Sequence, residues 1–272
     1  MKRTSIITYF HQHRYTAQLS GASDEAMPLY FAPRIKKRAT ALLVHGLFAY
    51  PWEMKHLGQE LSRNGYEVII PLLPGHAFSP AALAVTSYKD WINAIMSWSE
   101  RISALNQHFI LVGESLGAML SLYCGAELCR IKRAPLGIIS CSAAFTLPLR
   151  HHLSARIARR IHPFPKVRVS SVYRHVYMSH IASAAVRELL RLKKQVHKRL
   201  AYISCPVGVF HSKNDRSALI QGSKKIAAAV SSQQFYYRWY SGSAHVLITP
   251  QSPDYQSRIQ DICGVINNML QF

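Results

Sequence analysis

The chain has 272 residues, 49 % apolar and 17 % charged, with 33 Lys and Arg against 13 Asp and Glu and a formal net charge of +20. Such a chain can bury a large core, which excludes a disordered or fibrous protein and leaves one large domain, or one domain carrying an insertion. No window approaches the roughly 20 apolar residues of a spanning helix, and the brief apolar stretch after Lys2 and Arg3 gives way to "HQHR", so no signal-peptide core is expected.

Apolar runs of strand length alternate along the chain with longer segments of helical period. That alternation predicts an α/β fold, a mostly parallel central sheet with helices on both faces. Strands are expected over residues 39–45, 66–72, 109–113, 137–141, 207–211 and 234–240. Helices are expected over 52–64, 87–105, 116–129, 219–230 and 254–270. There is no internal repeat and no low-complexity linker. The five cysteines (Cys124, Cys129, Cys141, Cys205 and Cys263) are odd in number, lack CxxC spacing and sit mostly in apolar stretches. They read as reduced core residues, and a cytoplasmic protein is expected, with the option of peripheral contact at a membrane.

Residues 146–200 break the rhythm. They contain no convincing buried strand, and thirteen of the 33 Lys and Arg fall between Arg150 and Arg199, against the single acid Glu188. The segment is expected to be a basic helical insertion over one end of the sheet, with residues 1–145 and 201–272 forming the core domain. Its last part places Ile181, Ala185, Leu189, Leu192, Val196 and Leu200 along one stripe with cations opposite. The stripe is expected to face inward.

The most specific motif is "LVGESLG", residues 111–117. A serine hydroxyl is a weak nucleophile until a base takes its proton, and it must stand clear of the sheet to meet a substrate. A sharp strand-to-helix turn provides that exposure, and Gly113 and Gly117 remove side chains that would collide in it. A buried strand precedes Ser115 and a helix follows it. On such a scaffold the serine, an acid and a histidine follow in that chain order. "CPVGVFHSKND" supplies Asp215 beyond a later strand, and "YSGSAHVLI" supplies His245 after the last one. The expected roles are Ser115 as nucleophile, His245 as general base and acid, and Asp215 as the group that fixes the imidazole tautomer.

A developing oxyanion needs two backbone N–H donors. Leu116, first in the helix after the serine, supplies one. "LLVHGLFAY" supplies the loop for the other, with Gly46 permitting the turn and Leu47 the expected donor. The pairs His11/His13 and His151/His152 lack partnering acids or cysteines at ligand spacing, so no metal and no other cofactor is expected.

With these residues in place the chain resembles the α/β-hydrolase fold, and more narrowly bacterial carboxylesterases and monoacylglycerol lipases. The landmarks are "LLVHGLFAYPWEMKHLGQELSRNGYEVIIPLLPGH", "GESLGAMLSL", "RELLRLKKQVHKRLAYISCP", "HSKND" and "SGSAHVLI". The resemblance implies Ser115, Asp215 and His245 as the triad, Leu47 and Leu116 as oxyanion donors, and a small cap over the acyl pocket within the insertion. This chain departs from the family in reading "SGSAH" for a shorter "SGH", in placing Ala77 in the "GHG" turn, and in a cap of unusual basicity. The implied function is hydrolysis of carboxylic esters through an acyl-enzyme, on a small-molecule or lipid ester that the basic field would favour as anionic. A thioesterase or acyltransferase would share the first half-reaction and stays open. The basic cap also suits peripheral contact with anionic membranes, whereas a nucleic-acid-binding protein on this scaffold lacks any recognisable motif.

Overall fold

A computed structural model of the protein describes residues 5–76, 79–105, 107–148, 164, 166, 176–180, 182–242 and 244–270. Its centre is a seven-stranded sheet of order β1-β3-β2-β4-β5-β6-β7. The strands are β1 (Leu29–Phe31), β2 (Ala39–Val44), β3 (Tyr66–Ile70), β4 (Phe109–Glu114), β5 (Gly137–Cys141), β6 (Val207–Ser212) and β7 (Phe235–Tyr240). All neighbours run parallel except the edge pair β1 and β3. Six of the seven strands were expected, each within two residues of its observed ends.

The central strands are buried along their whole length because both sheet faces are covered. Side chains alternate between two cores, as the two-residue period of a strand requires. Leu42, Val44, Leu111, Val207 and Val209 enter one; Ala41, Leu43, Ile110, Val112 and Phe210 enter the other. The first core is closed by α4 (Tyr88–Ala104) and α5 (Leu116–Arg130), the second by α2 (Lys55–Arg63) and the C-terminal helix Tyr255–Met269.

Three elements were not expected. Helix α1 (Ile6–Leu19) is capped by Ser5, whose Oγ accepts the Thr8 N–H at 3.1 Å, and buries only Ile6, Phe10 and Ala17. So thin a stripe, interrupted by histidines, gives no clear helical period. Strand β1 is three residues long and half-buried. Helix α3 (Pro80–Val85) is a short piece opened by Pro80 and capped by Ser79. His13 of α1 is half-buried, and its Nε2 accepts the Leu72 N–H at 3.2 Å.

Within residues 146–200, α6 (Ser183–His197) packs on α3, α4 and α5. Ala185, Leu189, Leu192, Val196 and Leu200 are all buried there, as the stripe reading expected. Ile181, the histidines His151 and His152, and Ala77 lie outside the described residues. After β6, α7 (Gln221–Ala229) leads into β7, and α8 (Tyr255–Met269) completes the layer. Among the described residues no helix is long and apolar enough to cross a membrane.

Trp98 on α4 ties α1 to the core, with its ring 4.5 Å from Tyr9 and 5.4 Å from His13 and only 2 % of its surface exposed. Trp98→Ala is expected to cost about 3–5 kcal/mol, read as a lowered urea midpoint at unchanged slope; a wild-type midpoint would show that α1 packs elsewhere.

Candidate active site

The sheet order reverses at β2, with β3 on one side and β4 on the other. Loops leaving the C-terminal ends of β2 and β4 therefore diverge and open a crevice between them. Ser115 follows β4 and Gly46 follows β2, and the registered pair Val44 and Gly113 places both loops at the same height.

Ser115 has φ 55° and ψ −107°, a conformation rare for a residue with a Cβ. It is held by its N–H donating to the Cys141 carbonyl at 2.9 Å, and its own carbonyl accepts the Met119 N–H at 3.3 Å. The two glycines let the turn close. A methyl group on Gly113 would stand 2.1 Å from the Gly117 carbonyl carbon, and one on Gly117 would stand 1.9 Å from the Val44 carbonyl oxygen. No side chain fits at either position.

His245 Nε2 lies 3.0 Å from Ser115 Oγ, and His245 Nδ1 lies 2.7 Å from Asp215 Oδ2. Asp215 is carried on the turn after β6, where its Oδ1 accepts the N–H groups of Ser217 at 2.7 Å and Ala218 at 3.0 Å. His245 rides on the loop after β7, anchored by the fully buried Leu247 and Ile248 that follow it. The three residues singled out from the sequence are thus brought into one hydrogen-bonded line. Burial alone would raise the Asp215 carboxyl, but hydrogen bonds from His211 and His245, with the His245 charge, outweigh it and hold the group well below the usual carboxylate range.

The loop carrying Leu47 is fixed from beneath. Leu73 N–H donates to His45 Nε2 at 3.2 Å, which leaves the proton on Nδ1, and that N–H donates to the Gly46 carbonyl at 2.9 Å. Ala49 N–H reaches the same carbonyl at 3.3 Å. In a trans peptide the N–H points opposite to the C=O, so the Leu47 N–H is turned away from both donors. A methyl group on Gly46 would lie 3.6 Å from Ser115 Cβ, which measures how closely this loop approaches the serine. Leu116 opens α5, and its N–H belongs to the set that a helix leaves without an intrahelical partner.

Three residues near the site escaped the sequence reading. His211 is fully buried, with Nε2 2.8 Å from the Ala218 carbonyl and 3.3 Å from Asp215 Oδ2, and Nδ1 2.7 Å from Ser223 Oγ. Glu53 accepts the Gly46 N–H at 2.7 Å while only 1 % exposed. Glu114, inside the serine motif itself, is fully buried, and its carboxyl is raised far above the usual range by burial and then by the neighbouring Glu53. An acid in an apolar stretch was the one available signal.

A mostly parallel sheet in this order, turning at its reversal point into a strained serine between glycines, defines an α/β-hydrolase fold. Residues 35–251 match the serine aminopeptidase S33 family of hydrolases, and the chain belongs to that family. It is 24 % identical over 180 residues to a thermostable monoacylglycerol lipase of Bacillus sp. (strain H-257), covering 64 % of this chain and 69 % of that one. It is 23 % identical over 218 residues to a carboxylesterase of Bacillus subtilis (strain 168), covering 78 % and 87 %. Among solved structures, one from the work on LipS and LipT, two metagenome-derived lipolytic enzymes, superposes with a TM-score of 0.80 at 20 % identity, covering 91 % of this chain and 99 % of that one. A soluble variant of the Saccharomyces cerevisiae monoglyceride lipase superposes with a TM-score of 0.72 at 16 % identity, covering 89 % and 91 %.

Behind the loop after β2 the rings of His45 and His76 meet edge to face at 4.9 Å, both buried. Burial lowers His76 from 6.5 to about 4, so the folded state excludes a proton that the unfolded chain binds. Stability is therefore lost as pH falls from the unfolded value toward the folded one, by about 2 kcal/mol for this group between pH 7 and pH 5. His76→Asn is expected to flatten the acid side of the unfolding free-energy profile by about that amount, measured by urea titration at each pH; parallel profiles would refute the assignment.

Proposed function

We propose that the protein hydrolyses carboxylic esters of lipid character, of the monoacylglycerol or lysophospholipid type, through an acyl-enzyme on Ser115. The observation that carries this reading is the line Asp215–His245–Ser115, with contacts of 2.7 and 3.0 Å. His245 Nε2 takes the proton as Ser115 Oγ attacks the carbonyl carbon, and the N–H groups of Leu47 and Leu116 receive the oxyanion. Collapse of the tetrahedral adduct expels the alcohol, which leaves with the proton from His245. Water then repeats the sequence on the acyl-enzyme and releases the acid. Asp215, ionised throughout, keeps the proton on His245 Nδ1 and stabilises the imidazolium. This chemistry needs no metal or organic cofactor.

An aminopeptidase reading of the same machinery requires a carboxylate exposed at the site to hold the substrate's ammonium group. Among the described residues Glu53, Glu114 and Asp215, the acids whose contacts at the site are described above, are all buried, and the molecule's net charge is strongly positive. Both observations favour a neutral or anionic substrate, and the lipase and esterase relatives point the same way. We assign residues 146–200 to a cap over the acyl site, supported by the seating of α6 across α3, α4 and α5. The buried thiols Cys124, Cys141, Cys205 and Cys263 suit a reducing compartment, which supports a cytoplasmic location with peripheral contact at anionic membranes through the basic insertion. A thioesterase or acyltransferase shares the acylation step and differs only in leaving group or acceptor.

Hydrolysis of p-nitrophenyl esters of increasing chain length is expected to vanish in Ser115→Ala without loss of fold, and to fall roughly 10⁴-fold in kcat in Asp215→Asn. Wild-type rates in either variant would refute the mechanism, and stimulation by anionic but not neutral vesicles would support the membrane assignment.

A further inference from the structure

Glu53 lies in the helical turn Pro51–Met54 ahead of α2, almost wholly buried, with Oε2 on the Gly46 N–H at 2.7 Å. An apolar residue of the same size would pack there at lower desolvation cost. What the carboxylate adds is a fixed acceptor for the peptide that precedes Gly46. The peptide that follows Gly46 has its carbonyl held by His45 and Ala49, so both planes flanking Gly46 are pinned, and the second of them carries the Leu47 N–H.

The outer edge of the same loop is held by the insertion. Tyr50 N–H donates to the Val176 carbonyl and Met178 N–H to the Phe48 carbonyl, each at 2.8 Å, and they bracket an antiparallel bridge between Ala49 and Tyr177. The Tyr177 hydroxyl is buried beside Glu53, Glu114 and Thr249. We propose that Glu53 is a positioning residue for the oxyanion loop, and that the segment at residues 176–178 clamps this loop, so that this segment and the Leu47 donor move as one unit. The proposal rests on the ester-hydrolase reading above. It gives the insertion a second task besides covering substrate: displacing it would disassemble the oxyanion site.

The charged and titratable groups around Glu53 are Glu114 at the end of β4 and Tyr177 of the insertion. Asp24 and Glu25 lie on the turn Asp24–Ala26 packed against Pro51–Met54, and Lys55 and His56 open α2. Burial pushes the Glu53 carboxyl up to about 7, against the opposing pull of the Gly46 N–H. Its ionisation therefore falls in the range where esterase activity is measured.

The test uses the full-length protein with Glu53→Met, which keeps volume and removes the acceptor, and Glu53→Gln, which keeps an acceptor oxygen. Glu53→Met is expected to lower kcat for p-nitrophenyl butyrate about 100-fold with KM within about threefold, the signature of lost transition-state stabilisation. Glu53→Gln is expected to recover kcat to within about fivefold. Met178→Pro deletes the N–H that Phe48 accepts; it is expected to lower kcat about tenfold and to speed amide exchange at residues 46–50.

Wild-type kcat in Glu53→Met, a change confined to KM, or failure of Glu53→Met to fold beside an intact Glu53→Gln would overturn the positioning role. Unchanged exchange at residues 46–50 in Met178→Pro would overturn the clamp. Labelling of Ser115 by a fluorophosphonate is followed in parallel, because an unlabelled wild type would refute the ester-hydrolase reading itself, whereas labelling that slows only in the variants supports the inference.

Discussion

The structure depends on one strained residue. Ser115 at φ 55° occupies a region that a side chain disfavours, a cost on the order of 1–3 kcal/mol that persists only where the surroundings over-determine it. Here they do so through contact: Gly117 lies against the Val44 carbonyl and Gly113 against Gly117, so strands β2 and β4 and helix α5 meet with no side chain between them. That approach brings the loop after β2 beside the serine. Strands β2 and β4 contribute to both large cores and α5 to the first, and the cohesion of these elements is what holds the turn in place.

Around this turn the supporting groups are polar, buried and bonded to backbone. His45 holds a carbonyl, Glu53 an N–H, and Asp215 accepts two N–H groups besides facing two imidazoles. Each such group is expensive to bury, and a core built for stability alone would use hydrocarbon. Their concentration within the loops after β2, β4 and β6 therefore marks where geometry has been favoured over stability. Glu114 is the extreme case, fully buried beside Glu53, with burial the chief cause that raises its carboxyl well above the usual range. Its position one residue before the serine places this cost inside the motif.

The sequence made most of this legible for reasons that can be named. Buried parallel strands are continuous apolar runs, so β2 to β7 stood out, and Ser115, Asp215 and His245 followed from their chain order at strand ends. The elements missed were those whose signal is weak by construction: α1 buries three residues, β1 spans three, and α3 is two turns or less. Glu53 and His211 were missed for another reason. Their partners are a backbone N–H and a carbonyl brought near by the fold, and no spacing in the chain encodes such contacts.

The charge distribution follows from the same economy. Five of the thirteen acids (Glu53, Glu67, Glu114, Glu188 and Asp215) are buried, whereas among the described cations only Arg258 is. Acids are thus withdrawn from a surface already short of them. The exterior is more one-sided than +20 suggests, because a buried carboxyl that stays protonated, as burial drives Glu114 to do, contributes no charge at all. Surface ion pairs such as those of Glu127 with Arg130 and Arg199 neutralise little of the excess. The positive field is then partly a consequence of where the acids lie: those that accept the Gly46 N–H and face His245 are in the interior and not at the surface. Such a field falls off over roughly 8–10 Å in physiological salt, so it acts on whatever approaches the rim of the crevice and leaves the partly buried line from Asp215 to Ser115 governed by its own hydrogen bonds.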